Sequence, residues 1–468
     1  MNDTPSETPK TPAITGDSLI RVDARAAADE RGVRCAPASL LLAATDAHPT
    51  MGLRAARRLR LLALAPPDQL PEHTPDLTLT RPDAVLNPPL ITAPAHLDLT
   101  HMGPRPHDPE EGFVAWVDQI RAERHQRDED IASTVREGAR LLLAGGVSAV
   151  GDIAGAPAGR LTLAPYRALR TTPLAGVSYL EFFGIGATRD RARTNVDALL
   201  RAHAAEISAP GPVRFGLQPH APNTVALQLY RWAAARAHEL ALPLSTHLSE
   251  TPEEVEFIAH ASGPQRELLE RLGVWTDDIE AGHGLHPIEH LRPFLEDAQD
   301  LSPPLLVAHV NALGKHAPLL RAMNVSVAYC PRASAYFAAE RHFGAHPYRD
   351  LLDAGVNVCL GTDSIVNLPP EHATGPGARI SVLDEMRLLF RRDATPPDLL
   401  LRMGTTNAAR PLGLEPSHYR LDPGGEIAGL LAVPAPGGDP LEGVMRSSSS
   451  PEFLFIRNLA CDTGFGRH

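Results

Sequence analysis

Seven polar residues stand at or beside the ends of short apolar runs: His96 in LITAPAH, Asp152 in VSAVGDIA, Glu181 in VSYLEF, His220 in FGLQPH, His247 in LSTHLS, His309 in LVAHV and Asp363 in CLGTDS. Imidazoles and carboxylates are the donors that a divalent ion such as zinc takes, and an ion held by them activates water at neutral pH. Glu250 follows His247 in STHLSE. Each residue also has a plainer reading: His220 as a loop or capping histidine, His309 as a buried histidine bonded to backbone, Asp363 as a helix cap, Glu250 as an acid favoured near a helix start. A lone carboxylate behind an apolar strand is costly without a cation, which favours a ligand role for Asp363. Four histidines and an aspartate at equivalent ends of successive runs point to one shared site. Asp152 and Glu181 are read as structural hydrogen-bonders.

The runs that must position these residues are PPLITAPAH, VSAVGDIA, LAGVSYLEF, VRFGLQPH, LPLSTHLS, PPLLVAHV, VSVAYCP and VNVCLGTD. Eight short buried-type strands separated by helical stretches predict an α/β fold, a closed (β/α)8 TIM barrel over residues 86–424, whose site lies at the carboxyl ends of the strands. An open doubly wound sheet is the alternative. Helices are expected over residues 131–146, 224–240 and 250–261, the last entered by Thr251 as cap, Pro252 at the first helical position and Glu254 as a capping-box acid. Residues 19–85, with SLLLAATDA and RLRLLALAP, and residues 425–468, with EIAGLLAVP and FLFIRNLA, predict a small β-sandwich side domain built from both terminal segments. Residues 1–18 read as a disordered tail.

Composition narrows the chemistry. The chain has 468 residues, and its 44 basic against 56 acidic residues give a net charge of −12, which argues against a nucleic-acid partner, because that affinity rests on neutralising phosphates. Lys10 and Lys315 are the only lysines in the chain. A Walker-type loop, a pyridoxal phosphate Schiff base or a lysine aldolase each needs one well placed. Cys35, Cys330, Cys359 and Cys461 are too widely spaced for a disulfide scaffold or a CxxC zinc site, which suggests a reducing compartment. With no apolar run of membrane-spanning length and no leader pattern at the start, a cytoplasmic protein acting on a small molecule, without a membrane partner, is expected.

The segments GLQPHAPNTV, LPLSTHLSETPEEVEF, LLVAHVNAL, AYCPRASAYF, NVCLGTDS, ISVLDEMRLL and TTNAARPLGL occur in that order. On these, the chain from about residue 86 to 432 resembles the metal-dependent amidohydrolase superfamily, in the branch of the chlorohydrolases and of the deaminases of S-adenosylhomocysteine, guanine and aminodeoxyfutalosine. The resemblance implies a (β/α)8 barrel with a β-sandwich and one divalent metal ion, zinc or iron. On matching positions His96, His247 and Asp363 are metal ligands, Glu250, His309 and Asp363 are catalytic, and His220 contacts substrate. No lysine stands at the fourth strand, which implies a mononuclear site. The implied reaction is hydrolysis of a non-peptide carbon–nitrogen bond, foremost the deamination of an amino-substituted heterocycle or nucleoside. Trp116, with Phe113 in GFVAWVDQI, could form a wall for a substrate ring, a buried helix face being the alternative. Similar proteins are often dimers or larger, so a homo-oligomer is allowed.

One position departs from the pattern. The family reads NAHTH at the first strand and this chain reads TAPAH, so Pro94 stands where a ligand histidine is expected. His96, His247 and Asp363 still make three ligands, with His309 as a further candidate, and His101 or His107 in HMGPRPHD could supply a replacement. A metal-poor barrel kept as a binding or regulatory pseudoenzyme is therefore the competing reading. An unrelated barrel enzyme would need a late Gly-rich phosphate turn, and GTDS is not one. In the segment 262–303, His283, His286 and His290 are read as solvated helix residues.

Overall fold

Sixteen strands run through the residues that the computed structural model describes, 14–50, 53–156, 159–375 and 377–458. The N-terminal segment supplies β1 (Ile14–Asp29), β2 (Gly32–Cys35), β3 (Ala38–Thr50), β4 (Leu53–Ala56), β5 (Arg58–Ala65) and β6 (Leu77–Asn87). There follow β7 (Leu90–Ala95), β8 (Val147–Ala154), β9 (Ala175–Phe182), β10 (Val213–Pro219), β11 (Ser245–Leu248), β12 (Leu306–His309), β13 (Ser326–Tyr329) and β14 (Asn357–Leu360). The C-terminal segment adds β15 (Gly429–Pro434) and β16 (Glu452–Arg457). All eight runs expected as strands between residues 88 and 363 are strands.

β7 to β14 form two parallel four-stranded sheets, β10-β9-β8-β7 and β11-β12-β13-β14. Leu217 of β10 bridges Leu244 beside β11, and Ala95 of β7 bridges Asp363 beyond β14, so the two sheets meet at both edges. Period-two alternation sorts their side chains. Ile91, Ala93, Ala149, Ile153, Val177, Tyr179, Leu306, Ala328 and Cys359 share one buried cluster with Ala408, Leu412 and Tyr419. The intervening Val150, Leu180, Leu217, Val307, Val327 and Val358 pack with the helices. Strands buried on both faces read as continuous apolar runs, which is why they were legible in the sequence.

The expected helices occur at Asp128–Ala144, Leu227–Leu240 and Pro252–His260. The Thr251 hydroxyl accepts the Glu254 backbone N–H as a cap, with Pro252 in the first turn. Glu254 does not close the reciprocal box. Its buried carboxylate instead accepts the N–H groups of Ser249 and Glu250, at 2.7 and 2.9 Å, and so holds the loop between β11 and the helix.

Both terminal segments contribute to one side layer, but it is a single mixed sheet and not two stacked ones. Its order is β2-β1-β6-β15-β16-β4-β3-β5, with a further β1–β3 pairing that curls it back on itself. β1 is long enough to pair with both β3 and β6, so the layer stays hydrogen-bonded around a core of Ile20, Val22, Leu40, Leu42, Leu61, Leu430 and Phe455. Of the tail expected over residues 1–18, residues 1–13 lie outside the described residues, and from Ile14 the chain is already strand. Cys35, Cys330 and Cys359 are free thiols, and Cys461 lies outside the described residues. Among the described residues, no helix is long and apolar enough to cross a membrane.

The junction of β7 with β14 is tight. The Pro94 carbonyl accepts the N–H groups of both Thr362 and Asp363, and a Cβ on Gly361 would come within 2.7 Å of Pro94 and 2.8 Å of Cys330 Sγ. Gly361→Ala is therefore expected to cost about 1–3 kcal/mol through overpacking. Urea unfolding checks this; an unchanged midpoint would mean that the junction has slack.

Candidate active site

The carboxyl ends of the parallel strands open into one cleft of about 500 Å³, lined by His96, Glu181, His220, His247, Glu250, His309 and Asp363. His96 follows β7 and its Nε2 lies 3.6 Å from Asp363 Oδ1. The His96 ring stacks on His247 at a centroid distance of 5.5 Å, and His247 stacks on His309 at 5.3 Å. His309 Nε2 is 3.4 Å from Glu250 Oε1. The donor atoms gather into two triads, Glu250–His309–Asp363 and Glu181–His220–His247, each with its atoms within 4.8 Å of one another.

Backbone strain helps aim two of these groups. Leu306 faces the inner cluster and Val307 the helices, so strict alternation would turn His309 outward. Its φ of 73° lies in the left-handed region and swings the imidazole into the cleft, and Asp363 has a φ of 54°. Such residues cost on the order of 1–3 kcal/mol each and persist where the surroundings hold them. The His346 ring does so here, its Nε2 donating to the His309 carbonyl at 2.8 Å.

Burial dominates the electrostatics. It pushes the Glu181 carboxyl up to about 8 and that of Asp363 to about 7, and it holds Glu250 well above the usual carboxylate range, reinforced by the Asp363 charge. The same desolvation lowers His247 to about 4 and keeps His96, His220 and His309 well below the usual histidine range. At neutral pH the histidines are thus neutral, and burial favours the protonated form of Glu250.

Asp152 accepts from the Leu97 N–H and the Ser178 hydroxyl, 3.0 and 3.4 Å away, the structural role read for it. Glu181 departs from that reading. It continues the inward phase of Val177 and Tyr179, is 2% exposed, and its Oε1 has no hydrogen-bond partner. His220 Nδ1 is 2.7 Å from the Thr224 hydroxyl. Trp116, half-buried, lines the cleft from the helix Gly112–Glu123, stacked on Phe113 and edge-on to Phe337.

His101 and His107 do not replace the first-strand histidine. His101 is exposed, stacks on His125 and reaches the Glu123 carbonyl, while His107 packs on Tyr336 and Phe337. His283 is exposed as expected, but His290 is buried and His286 accepts the Ile288 N–H as a helix cap and stacks on His316. Sequence reasoning missed Arg124, which lines the cleft, bonds Asp98 Oδ2 through Nε at 2.8 Å and occupies space that any Cβ on Gly155 would fill. It lies far from any strand end in sequence, and no spacing marked it.

Residues 100–426 match the amidohydrolase family. The chain is 28% identical over 365 residues to an aminodeoxyfutalosine deaminase of Deinococcus radiodurans, covering 74% of this chain and 78% of that protein. It is 29% identical over 222 residues to a 5-methylthioadenosine/S-adenosylhomocysteine deaminase of Pyrococcus furiosus, covering 46% of this chain and 44% of that one. Its fold is similar to that of an adenosine deaminase from Xanthomonas campestris solved with bound zinc, with a TM-score of 0.65, 18% identity and 94% of both chains covered. With more than two thirds of its length matched, and with histidines and carboxylates drawn into one cleft at the strand ends, the chain belongs to the amidohydrolase family.

Proposed function

We propose that this chain is a divalent-metal-dependent hydrolase that removes an amino group, as ammonia, from an amino-substituted nucleoside or related heterocycle. Residues 86–424 are its barrel, in which the two four-stranded sheets close on each other at their bridged edges, and the side layer is carried by residues 19–85 and 425–468. Free cysteines suit the cytoplasm. The observation that carries the reading is the pairing of a largely buried Glu250 with His309 at 3.4 Å, on the same cleft as Asp363 and His247. Relatives named as deaminases support it.

The residues fit a divalent ion. Four neutral imidazoles and several carboxyl groups converge in a partly desolvated cleft, and His96 Nδ1 is buried without a partner. His96, His247 and Asp363 would hold the ion, zinc by the preference for nitrogen and oxygen donors, one ligand short of the HxH pattern at Pro94. When bound, such an ion supplies the Lewis acidity that activates water near neutral pH. Asp363 takes the proton of the attacking water, Glu250 delivers a proton to the departing nitrogen, and His309 stabilises charge that develops at the attacked carbon. His220 and Trp116 face the space a substrate ring would occupy. Glu254 acts through Glu250, by fixing the backbone on which that acid is carried.

The pseudoenzyme reading has Pro94 as its specific support, and one assay separates the two. Untagged protein with added zinc, incubated with adenosine-type nucleosides, is expected to release ammonia and to stop when a chelator is added; no release from any aminopurine nucleoside would leave the binding-protein reading. Glu250→Gln removes the proton donor and is expected to lower kcat by about 10²–10⁴ with little change in KM. An undiminished kcat would remove Glu250 from the mechanism.

Burial raises the Glu254 carboxyl to about 7. The folded chain therefore holds this proton more tightly than the unfolded chain, and the stability that the group contributes is fully present below about 4.5 and is lost as pH rises through about 7. Glu254→Gln turns one acceptor into a donor facing a buried N–H, at a cost of about 1–3 kcal/mol. Urea unfolding across this range should show the wild-type advantage over Glu254→Gln narrowing as pH rises; a widening gap would contradict the assignment.

A further inference from the structure

His309 and Glu250 meet at 3.4 Å although they follow different strands, β12 and β11, so the two stretches of backbone that carry them must be held in register. The turn after β12 does this. His309 and Val310 both have left-handed backbone, with φ of 73° and 59°, and two such residues in succession, one of them β-branched, need ties from outside the turn. Two buried side chains supply them. His346, 6% exposed, donates from Nε2 to the His309 carbonyl at 2.8 Å, and its ring is stacked on Tyr329 with centroids 3.7 Å apart. The Tyr329 hydroxyl accepts from Arg392 at 2.8 Å, so the imidazole rests on a braced ring. Asn311, also 6% exposed, donates from Nδ2 to the Glu250 carbonyl at 2.9 Å, and its Oδ1 accepts the Ser334 hydroxyl at 3.3 Å. Backbone bonds run alongside, from the Val310 N–H to the Leu248 carbonyl and from the Ala312 N–H to the Ser249 carbonyl, at 2.9 and 3.2 Å.

We propose that His346 and Asn311 are the positioning residues of the Glu250–His309 pair: one fixes the carbonyl of His309, the other that of Glu250, and the turn between them sets the distance at which the two side chains meet. The inference rests on the roles proposed above for Glu250 and His309, and adds that neither is placed by its own strand alone. Neither His346 nor Asn311 lines the cleft, so both act through backbone and not on the substrate. The His346 Nδ1 is buried without a hydrogen-bond partner, which leaves Nε2 as the atom that ties this imidazole to the turn. What His309 requires of His346 is therefore the donor, with the stack on Tyr329 serving to aim it.

Two substitutions separate the donor from the ring. His346→Phe keeps a ring on Tyr329 and removes the donor, whereas His346→Gln places an amide N–H at a similar reach without the ring. Crystal structures of the full-length variants test the positioning without any turnover: His346→Phe should release His309 from its left-handed backbone and part it from Glu250, and His346→Gln should keep the wild-type pair. With an aminopurine nucleoside, His346→Phe should lose about tenfold to a hundredfold in kcat with KM little changed, as expected of a group displaced by about 1 Å, and His346→Gln should recover most of it. Asn311→Asp turns an oxygen toward the Glu250 carbonyl and should act in the same direction, independently, should His346→Phe fold poorly. A His309–Glu250 separation that stays at 3.4 Å in His346→Phe and Asn311→Asp would overturn the inference, and so would equal losses of kcat in His346→Phe and His346→Gln. A wild-type chain that releases no ammonia would overturn the deaminase reading, while the crystal geometries still decide the positioning.

Discussion

Desolvation of many ionisable groups in one cleft is the constraint on which the rest of the structure depends. Glu181, Glu250, Asp363 and four histidines line one partly desolvated cleft, and burial is the largest influence on every one of them. It drives carboxyls toward the protonated form and imidazoles toward the neutral form, so the cleft avoids unpaired charge. The result is a set of neutral imidazoles beside carboxyl groups that hold their protons more tightly than usual. A bound cation would draw the same carboxylates back to the charged form, which couples ionisation in this cleft to metal binding.

Holding such a cleft open requires rigidity from elsewhere. The inner cluster below the site, closed from beneath by Ala408, Leu412 and Tyr419, fixes the strands whose ends carry the donors. The hydrogen bonds from Thr362 and Asp363 to the Pro94 carbonyl tie the last strand to the first, and the bonds from Ser249 and Glu250 to Glu254 fix the loop that bears the acid. Left-handed backbone at His309 and Asp363 is tolerated because these surroundings determine it. Pro94 fits this picture as a structural residue at a crowded seam.

The central strands, the helix caps at Thr251 and Pro252 and the convergence of His96, His247, His309 and Asp363 were legible in the sequence, because each rests on local rules: continuous apolar runs for strands buried on two faces, cap chemistry for helix starts, and polar residues at equivalent strand ends. Glu181 was legible in part, since it continues the alternation of Val177 and Tyr179, yet nothing in the sequence says that no donor reaches its Oε1. Arg124 was not legible, because it enters the cleft from a segment between two helices, in space left by Gly155 just beyond β8.

The sequence by itself determined the order of elements, the family and the residue types able to bind metal and move protons, because these depend on neighbours a few positions away. Only the tertiary structure decided which donors face one another across 3.4 to 4.0 Å, that His101 and His107 turn away, and that the side layer is one curled sheet. Those outcomes depend on distances between segments dozens to hundreds of residues apart in the chain, and on left-handed backbone such as that at His309, which overrides strand alternation and which no local pattern encodes.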